Sequence, residues 1–171
     1  RLHGAGAAGT VTFSRRAPEG ASTQVARIET RLLVVNPQSG RGSVPEDVFD
    51  GFERLTLDGV RERLAVLDPS HDVIVAVWGG DGTMRAVAEA VIGTRAVLVP
   101  CPGGTHNHFA RAARVEDLDA VRAVLERGEI IDVDVGRANG RAFLNNATIG
   151  WYAELVARRE RFERRLPRRL A

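Results

Sequence analysis

The chain has 171 residues and 44% hydrophobic content, enough for one domain with a core but too little for two full-sized domains. Its formal net charge is only +2, and all 24 basic residues are arginines. Because it has no lysine, the chain cannot form a P-loop of the Walker type, so any phosphate site must use backbone N–H groups, hydroxyls and arginine. The single cysteine, Cys101, excludes an intrachain disulfide and a cysteine-based zinc site. No apolar run approaches the roughly 18 residues that span a bilayer.

The two ends of the chain carry little pattern. The first residue is Arg1 rather than methionine, and the C-terminal arginine-rich segment stops without a closing signal, so we expect a piece of a larger protein. Residues 1–30 are rich in Gly, Ala, Ser, Thr and Arg without a sustained period, which favours a linker or disordered tail. Only residues 10–14 give a weak strand signal there.

Three short apolar runs follow in the next hundred residues: 32–35 (LLVV), 73–78 (VIVAVW) and 96–99 (AVLV). Runs that are apolar on both faces are typical of central strands in a parallel sheet. Each is followed by a turn-rich loop and then a helical pattern. One such helix has its apolar stripe at Met84, Val87, Ala88 and Val91, and the other has it at Leu118, Val121 and Leu125 and ends at Gly128.

The repeated strand, loop and helix predict a doubly wound, mostly parallel α/β sheet across residues 31–129. Between the first two strands we expect a helix at 46–54 and another at 60–67, with 55–57 a poor strand candidate. Residues 130–171 read as the start of a second, β-type domain. They combine a hairpin about Asn139-Gly140 with a basic helix broken at Pro167.

The strongest chemical feature is Gly79-Gly80-Asp81-Gly82-Thr83, directly after a buried strand and before a helix. Glycines let a backbone approach a ligand closely, and a helix start offers unpaired N–H groups that suit phosphate. Thr83 would cap that helix or bond a phosphate oxygen. Asp81 would bind Mg²⁺, accept a proton from a substrate hydroxyl, or turn away to hold the loop.

Two further loops join a strand to a helix in the same way. The first, residues 36–43, supplies Asn36, Ser39 and Gly40, and the third, residues 102–108, supplies Gly104, Thr105 and Asn107. All three loops should meet at the carboxyl edge of the sheet, where such folds bind ligands. His106 and His108 have no third ligand nearby, so no metal site is assigned to them, and Cys101 is interpreted as a small buried residue.

The three loops together, "NPQSGRG", "GGDGT" and "PGGTHNHFAR", resemble the diacylglycerol kinase catalytic domain family, which includes bacterial lipid kinases and sphingosine kinases. "VDVGRANGRAFLNNATIG" is similar to the passage from that family's nucleotide domain to its second domain. The resemblance covers about residues 32–160. GGDGT alone is shared with NAD kinases and phosphofructokinases, whereas the combination is far more specific.

This resemblance implies an ATP-dependent lipid kinase that transfers the γ-phosphate, with Mg²⁺, to the hydroxyl of diacylglycerol, sphingosine or a related lipid. Asp81 occupies the position of the acidic residue that is often proposed as catalytic in this family. The phosphates would lie on the helix starts after Gly42, Thr83 and Asn107. The implied nucleotide-binding residues are Asn36, Ser39, Gly40, Gly79, Gly80, Asp81, Gly82, Thr83, Met84, Arg85, Gly104, Thr105 and Asn107.

The chain also departs from the family pattern. His106 and His108 stand where many relatives have a small residue and Asp, and the segment between the first two loops is short. The β-sandwich second domain, which by resemblance carries most of the lipid pocket, is largely absent, so the fragment alone could be inactive. An NAD kinase or a non-catalytic nucleotide-binding module are the alternatives. The expected partner is a lipid alcohol at a membrane surface and not nucleic acid. The expected location is the cytoplasm or, peripherally, the inner membrane surface.

Overall fold

The computed structural model describes residues 6–16, 25, 28–39, 44–68, 70–138 and 141–144, with side chains from residue 9 onward. This part of the chain contains seven strands and four α-helices. The strands are β1 (Gly6–Arg15), β2 (Thr30–Val35), β3 (Glu53–Leu55), β4 (Val73–Gly79), β5 (Ala96–Pro102), β6 (Glu129–Ala138) and β7 (Arg141–Phe143). The helices are α1 (Leu57–Ala65), α2 (Asp81–Val91), α3 (His108–Ala112) and α4 (Leu118–Arg127).

All seven strands form one sheet in the order β3-β2-β4-β5-β1-β6-β7. The pairs from β3 to β1 are parallel, and β6 and β7 are added antiparallel at one side. Every residue of β4 is buried, as expected of a central strand that is covered on both faces. The predicted doubly wound, mostly parallel α/β fold is therefore confirmed.

Alternate residues along the strands supply two separate cores. Val75 and Val77 of β4 face a cluster that contains Val60 of α1 and Val87 of α2. Ile74 and its alternating neighbours face a second cluster formed with α4. The four predicted stripe residues of α2 are all buried, and in α4 the buried set is Ala120, Val121, Val124 and Leu125. Helices thus cover both faces, and the strand ends remain open for a site.

Residues 6–15, expected to belong to a linker or tail, instead form β1 inside the sheet. This strand pairs antiparallel with β6 over almost its whole length, and it pairs in parallel with β5 at Thr12 and Phe13. Val11 and Phe13 are only 2% and 1% exposed, and the Phe13 ring lies 4.4 Å from the Phe109 ring of α3. Long-range strand pairing and burial therefore override the flexible composition of this segment.

The prediction of a helix at 46–54 is wrong. One 3₁₀ turn at Glu46–Val48 is followed by β3, which pairs with β2 as an edge strand. Gly51, with φ of 75°, lies between them in a conformation that ends a helix. The next helix is confirmed but begins earlier, at Leu57, where the Thr56 hydroxyl accepts the Gly59 N–H. A strand and a helix therefore do occupy the segment that looked short against the family.

The predicted hairpin is present, because β6 and β7 pair antiparallel around residues 139–140. These strands extend the main sheet through β1 rather than standing apart from it. The predicted domain start at residue 130 is therefore not visible as a break in the sheet. The basic helix expected near Pro167 lies outside the described residues. At the end of α4, Gly128 has an extended backbone, and a Cβ there would overlap the Ser14 side chain.

Phe13→Ala tests whether β1 is a structural strand. Truncating a fully buried aromatic side chain should lower the free energy of unfolding by about 3–5 kcal/mol. Urea denaturation measures this change, and Thr10→Ala on the exposed side of the same strand is the control. A loss below about 1 kcal/mol, within the scatter of surface substitutions, would mean that this segment is not packed as described.

Candidate functional site

Three loops meet at the carboxyl edge of the sheet, after β2, β4 and β5. They line a cavity of about 450 Å³ that is open to solvent. In a parallel sheet this edge is where ligands bind. The cavity is lined by Asn36, Gln38, Ser39, Gly80, Asp81, Gly82, Thr83, Gly104, Thr105 and His106. The convergence expected from the sequence is therefore present; Gly40 and residues 41–43 lie outside the described part of the chain.

Asn36 joins the first loop to the second. Its side-chain Nδ2 donates to the Thr83 hydroxyl at 2.9 Å, and its backbone N–H donates to the Trp78 carbonyl at 3.2 Å. Within the first loop, the Ser39 hydroxyl donates to the Asn36 carbonyl at 2.7 Å. Thr83 does not cap α2, because Gly80 is the capping residue. The Asn36 side chain therefore links the first loop to the second, and Ser39 lines the cavity.

The second and third loops touch through their glycines. A Cβ on Gly104 would overlap the Gly80 Cα and lie 2.9 Å from the Gly80 nitrogen. A Cβ on Gly103 would lie 2.7 Å from the Gly79 nitrogen, and one on Gly79 would lie 2.7 Å from the Thr83 Cβ. Contacts this short exclude any side chain at these positions. Glycine is required at 103 and 104 by the close approach of two backbones, and at 79 by the side chain of Thr83.

Asn107 holds the third loop from inside. It is 8% exposed and has φ of 52°, a left-handed conformation that asparagine adopts more readily than most residues. Its Oδ1 accepts the Gly104 N–H and its Nδ2 donates to the Gly104 carbonyl, both at 2.8 Å. Asn107 therefore holds the Gly104 peptide in place and is not among the residues that line the main cavity.

Asp81 is the first residue of α2, yet its carboxylate caps α3. Oδ1 accepts the Phe109 N–H at 3.0 Å and Oδ2 accepts the His108 N–H at 3.2 Å. This is the loop-holding role that the sequence left open beside the catalytic ones. The start of α3, expected to face phosphate, is instead occupied by this carboxylate. Each oxygen keeps a second lone pair, so the bonds do not prevent contact with a metal ion.

Four described residues of the implied nucleotide site do not line the main cavity, namely Gly79 and Asn107, which shape the loops, and Met84 and Arg85 of α2. Met84 is 2% exposed and its side chain packs in the hydrophobic core. Arg85 pairs with Glu89 at 3.5 Å and faces a neighbouring cavity of about 500 Å³. That second cavity is lined by Asp81, Gly82, Arg85, His108, Phe109, Phe143 and Leu144. Helical geometry explains the difference, because consecutive residues of α2 point to different sides.

A third cavity, also about 500 Å³, lies between the first loop and α1. Residues that the sequence did not single out form one wall, namely Thr56, Leu57 and Asp58. Their position depends on β3 and α1, which have no loop motif of their own, so no local signal marked them. This cavity adjoins the main one through Asn36, Gln38, Gly82 and Thr83.

A further cavity, of about 840 Å³, lies at the opposite, amino edge of the sheet. Three of its charged groups are engaged: Arg95 donates to Asp72 at 2.6 Å, which lowers the pKa of that carboxyl, and Asp68 accepts two bonds from Ser70. Among the described residues, its lining includes no glycine and no helix start. Size alone therefore does not make it the better candidate for phosphate.

The described residues contain no group of three or more His, Cys, Asp or Glu side chains that would hold a metal ion. The His106 and His108 rings stack on each other, 5.6 Å apart and almost parallel. Asp81 is the one carboxylate among the residues that line the main cavity. Any Mg²⁺ there would need phosphate oxygens and water to complete its coordination.

Cys101 takes no part in the site. Its side chain is 1% exposed, and burial raises the pKa of its thiol to about 12. A thiol is nucleophilic only as the thiolate, so a group this buried is inert near neutral pH.

A doubly wound sheet with three polar loops tied together at its carboxyl edge is the arrangement in which α/β proteins bind ligands. Residues 30–138 match the family model of the diacylglycerol kinase catalytic domain, and the chain belongs to that family.

Several curated relatives share this region. A protein of Pseudomonas syringae pv. tomato named "Probable lipid kinase YegS-like" is 40% identical over 139 residues, covering 69% of this chain and 44% of the relative. A protein of the same name from Pseudomonas aeruginosa is 43% identical over 104 residues, covering 58% and 34%. The chain thus spans less than half the length of these relatives. No solved structure matches significantly. In the described part of the chain, no helix has the length and apolarity to cross a membrane.

Gly104→Ala and Gly82→Ala form a matched test of the glycine contact. The Gly104 Cβ would strike the second loop, whereas a Cβ on Gly82 meets nothing within 4 Å. We expect Gly104→Ala to lower the free energy of unfolding by about 1–3 kcal/mol. Gly82→Ala, within α2, should be neutral or stabilising by up to about 1 kcal/mol. Thermal denaturation of both variants measures the effect, and equal stabilities would contradict the close approach.

Cys101 predicts a specific alkaline destabilisation. Its pKa is raised in the folded state, so the folded chain keeps a proton that the unfolded chain loses. Its contribution is complete below the thiol's ordinary pKa near 9 and is lost as pH rises toward 12. The free energy of unfolding should therefore fall by about 1.4 kcal/mol per pH unit in this window.

The chain has no lysine and one tyrosine, so few other groups titrate there. Urea denaturation of wild type and Cys101→Ala between pH 8 and about 11 measures the difference. Parallel pH dependences in the two proteins would show that the thiol is not buried as described.

Proposed function

We propose that this chain is the nucleotide-binding part of an ATP-dependent lipid kinase, which transfers the γ-phosphate of ATP to a lipid hydroxyl. The observation that carries the proposal is the joining of three glycine-bearing loops around one cavity at the carboxyl edge. Membership of the diacylglycerol kinase catalytic domain family and the printed names of the relatives support it. The same match favours this family over the NAD kinase alternative.

The triphosphate would lie on the second loop and the start of α2. The first N–H groups of a helix have no partner within it, and the helix dipole adds partial positive charge. In α2, of eleven residues, these groups belong to Asp81, Gly82 and Thr83. The hydroxyls of Thr83 and Thr105 line the same cavity and would donate to phosphate oxygens, whereas the Ser39 hydroxyl gives its one hydrogen to the Asn36 carbonyl. This set replaces the lysine that P-loop proteins use.

The adenosine would occupy the adjoining cavity beside α1. Its lining combines apolar side chains, Val34, Leu57 and Ala86, with the polar groups of Asn36, Gln38 and Thr56. A purine offers flat apolar faces and polar edges, so a mixed lining of this kind suits it. The two cavities meet at Gly82 and Thr83, which lets one molecule extend from base to phosphates.

Asp81 is the proposed catalytic residue. Mg²⁺ usually binds through one or two carboxylates together with substrate phosphates, and it would neutralise charge that develops on the transferred group. Asp81 would hold that ion or accept the proton of the lipid hydroxyl. Its bonds to the α3 amides fix the carboxylate in position for either task. The acceptor would be a lipid alcohol, reached by the protein at the inner membrane surface from the cytoplasm.

Asp81→Asn should lower transfer far more than it lowers nucleotide affinity. The amide keeps one acceptor oxygen for α3 but has no negative charge to offer a metal ion and cannot take a proton, so transfer should fall by about 10²–10⁴-fold. The assay is transfer of radiolabelled phosphate from MgATP to diacylglycerol or sphingosine in mixed micelles, with calorimetry for nucleotide binding. Asp119→Asn, exposed on α4, is the control.

The outcomes separate the competing functions. Unchanged turnover in Asp81→Asn would remove Asp81 from catalysis. Binding of MgATP without transfer to any lipid, even when the second domain is supplied in the full-length protein, would favour a non-catalytic nucleotide-binding module. Phosphorylation of NAD instead of lipid would identify an NAD kinase activity.

A further inference from the structure

Three exposed arginines lie together where α3 ends, and we call Arg16, Arg111 and Arg114 the basic face. The backbone N–H of Arg114 donates to the Arg111 carbonyl at 2.9 Å, and that of Arg16 donates to the Ala113 carbonyl at 3.2 Å. Arg16 directly follows β1, which runs parallel to β5. The basic face is therefore on the same edge of the sheet as the three loops.

In the described part of the chain, the charge of the basic face has no opposite charge paired with it. None of its three arginines forms an ion pair with any residue that the structure describes. From residue 105 to 115 the exposed side chains are Thr105, His106, His108, Arg111, Ala112 and Arg114, with no carboxylate among them. The next acidic groups are Glu116 and Asp117, and Asp117 is engaged in capping α4.

Arg114 occupies a position that normally favours glycine. Its φ is 59°, and the N–H groups of Arg114 and Val115 close the helix end onto Arg111 and Ala110. In this type of helix ending the left-handed residue is usually glycine, because a Cβ disfavours the conformation. A long cationic side chain is therefore held here against the backbone preference. Such a conformational outlier points to a function for the side chain.

The basic face adjoins the cavity that contains Phe109, Phe143 and Leu144. His108 lines this cavity and lies one helical turn from Arg111, so the cavity opens next to the arginines. Asp81 lines both this cavity and the main one. Cationic side chains beside a recess of mixed lining, which includes these three apolar residues, match the anionic headgroups and apolar chains of a membrane. Nucleic acid fits less well, since the exposed residues at 105–115 include no Phe, Tyr or Trp for base stacking.

We propose that the basic face docks the protein on anionic membrane lipids and so turns the three loops toward the bilayer. Its role in presenting the loops to a lipid substrate rests on the proposed function, whereas docking itself does not. An arginine near an anionic membrane contributes about 1 kcal/mol, which corresponds to about a fivefold change in partitioning. The three arginines together would therefore make a measurable contribution.

Co-sedimentation with phosphatidylcholine vesicles, with and without phosphatidylglycerol, tests the docking surface. The variants are Arg114→Gly, Arg111→Gln and the double variant. Arg114→Gly removes the charge while relieving the left-handed backbone, so it should fold at least as stably as wild type. Arg61→Gln, which removes an exposed charge on α1, is the matched control. The basic segment at 158–169 is common to all of them and cancels in the comparison.

We expect partitioning onto phosphatidylglycerol vesicles to fall about fivefold in each single variant and about 25-fold in the double variant, with the control near wild type. A double variant that binds like wild type, or a control that loses as much, would overturn the proposal. So would binding of a mixed-sequence duplex DNA that is tighter than binding of the vesicles. MgATP affinity should be unchanged in the variants. Wild type that fails to bind MgATP would refute the proposed function and leave the vesicle result standing.

Discussion

The contact between the Gly80 and Gly104 backbones is the constraint on which the site depends. Strands β4 and β5 are neighbours in the sheet, so the loops that leave their ends must cross at close range. A Cβ on Gly104 would not fit against Gly80. Once the loops meet, Asn36 donates to Thr83 across the first two loops, the Asp81 carboxylate accepts an N–H group of α3, and Asn107 accepts the Gly104 N–H within the third loop. The start of α2, the threonine hydroxyls and the Asp81 carboxylate then face one cavity.

The Asp81 carboxylate beside a proposed triphosphate would be repulsive if it stood alone. It lies in the first turn of α2 and accepts two N–H groups from the first turn of α3, so both helix starts stabilise its charge. In return it fixes α3, whose Phe109 packs on Phe13 of β1. A single side chain thereby couples the proposed chemistry to the N-terminal strand, which lies outside the region matched by the family model.

Much of the fold could be predicted because β2, β4 and β5 are continuous apolar runs and α2 has a complete apolar stripe. Local pattern was insufficient where pairing with distant strands decides the structure, as in β1 and in the edge strand β3. The loops were found because glycine, asparagine and threonine mark turns after strands. What each side chain does there could not be read from the sequence. Met84 faces the core and Asp81 reaches α3 through helical geometry and through contacts 27 and 28 residues away.

The most direct test of the three-loop account is to follow backbone amide signals by NMR while a non-hydrolysable MgATP analogue is added. The account predicts saturable shifts at Ser39, Gly82, Thr83 and Thr105, which together represent all three loops, with Leu125 of α4 unaffected. No saturable shift in any of the three loops, or shifts confined to Ser70 and Arg95 at the opposite edge, would contradict it.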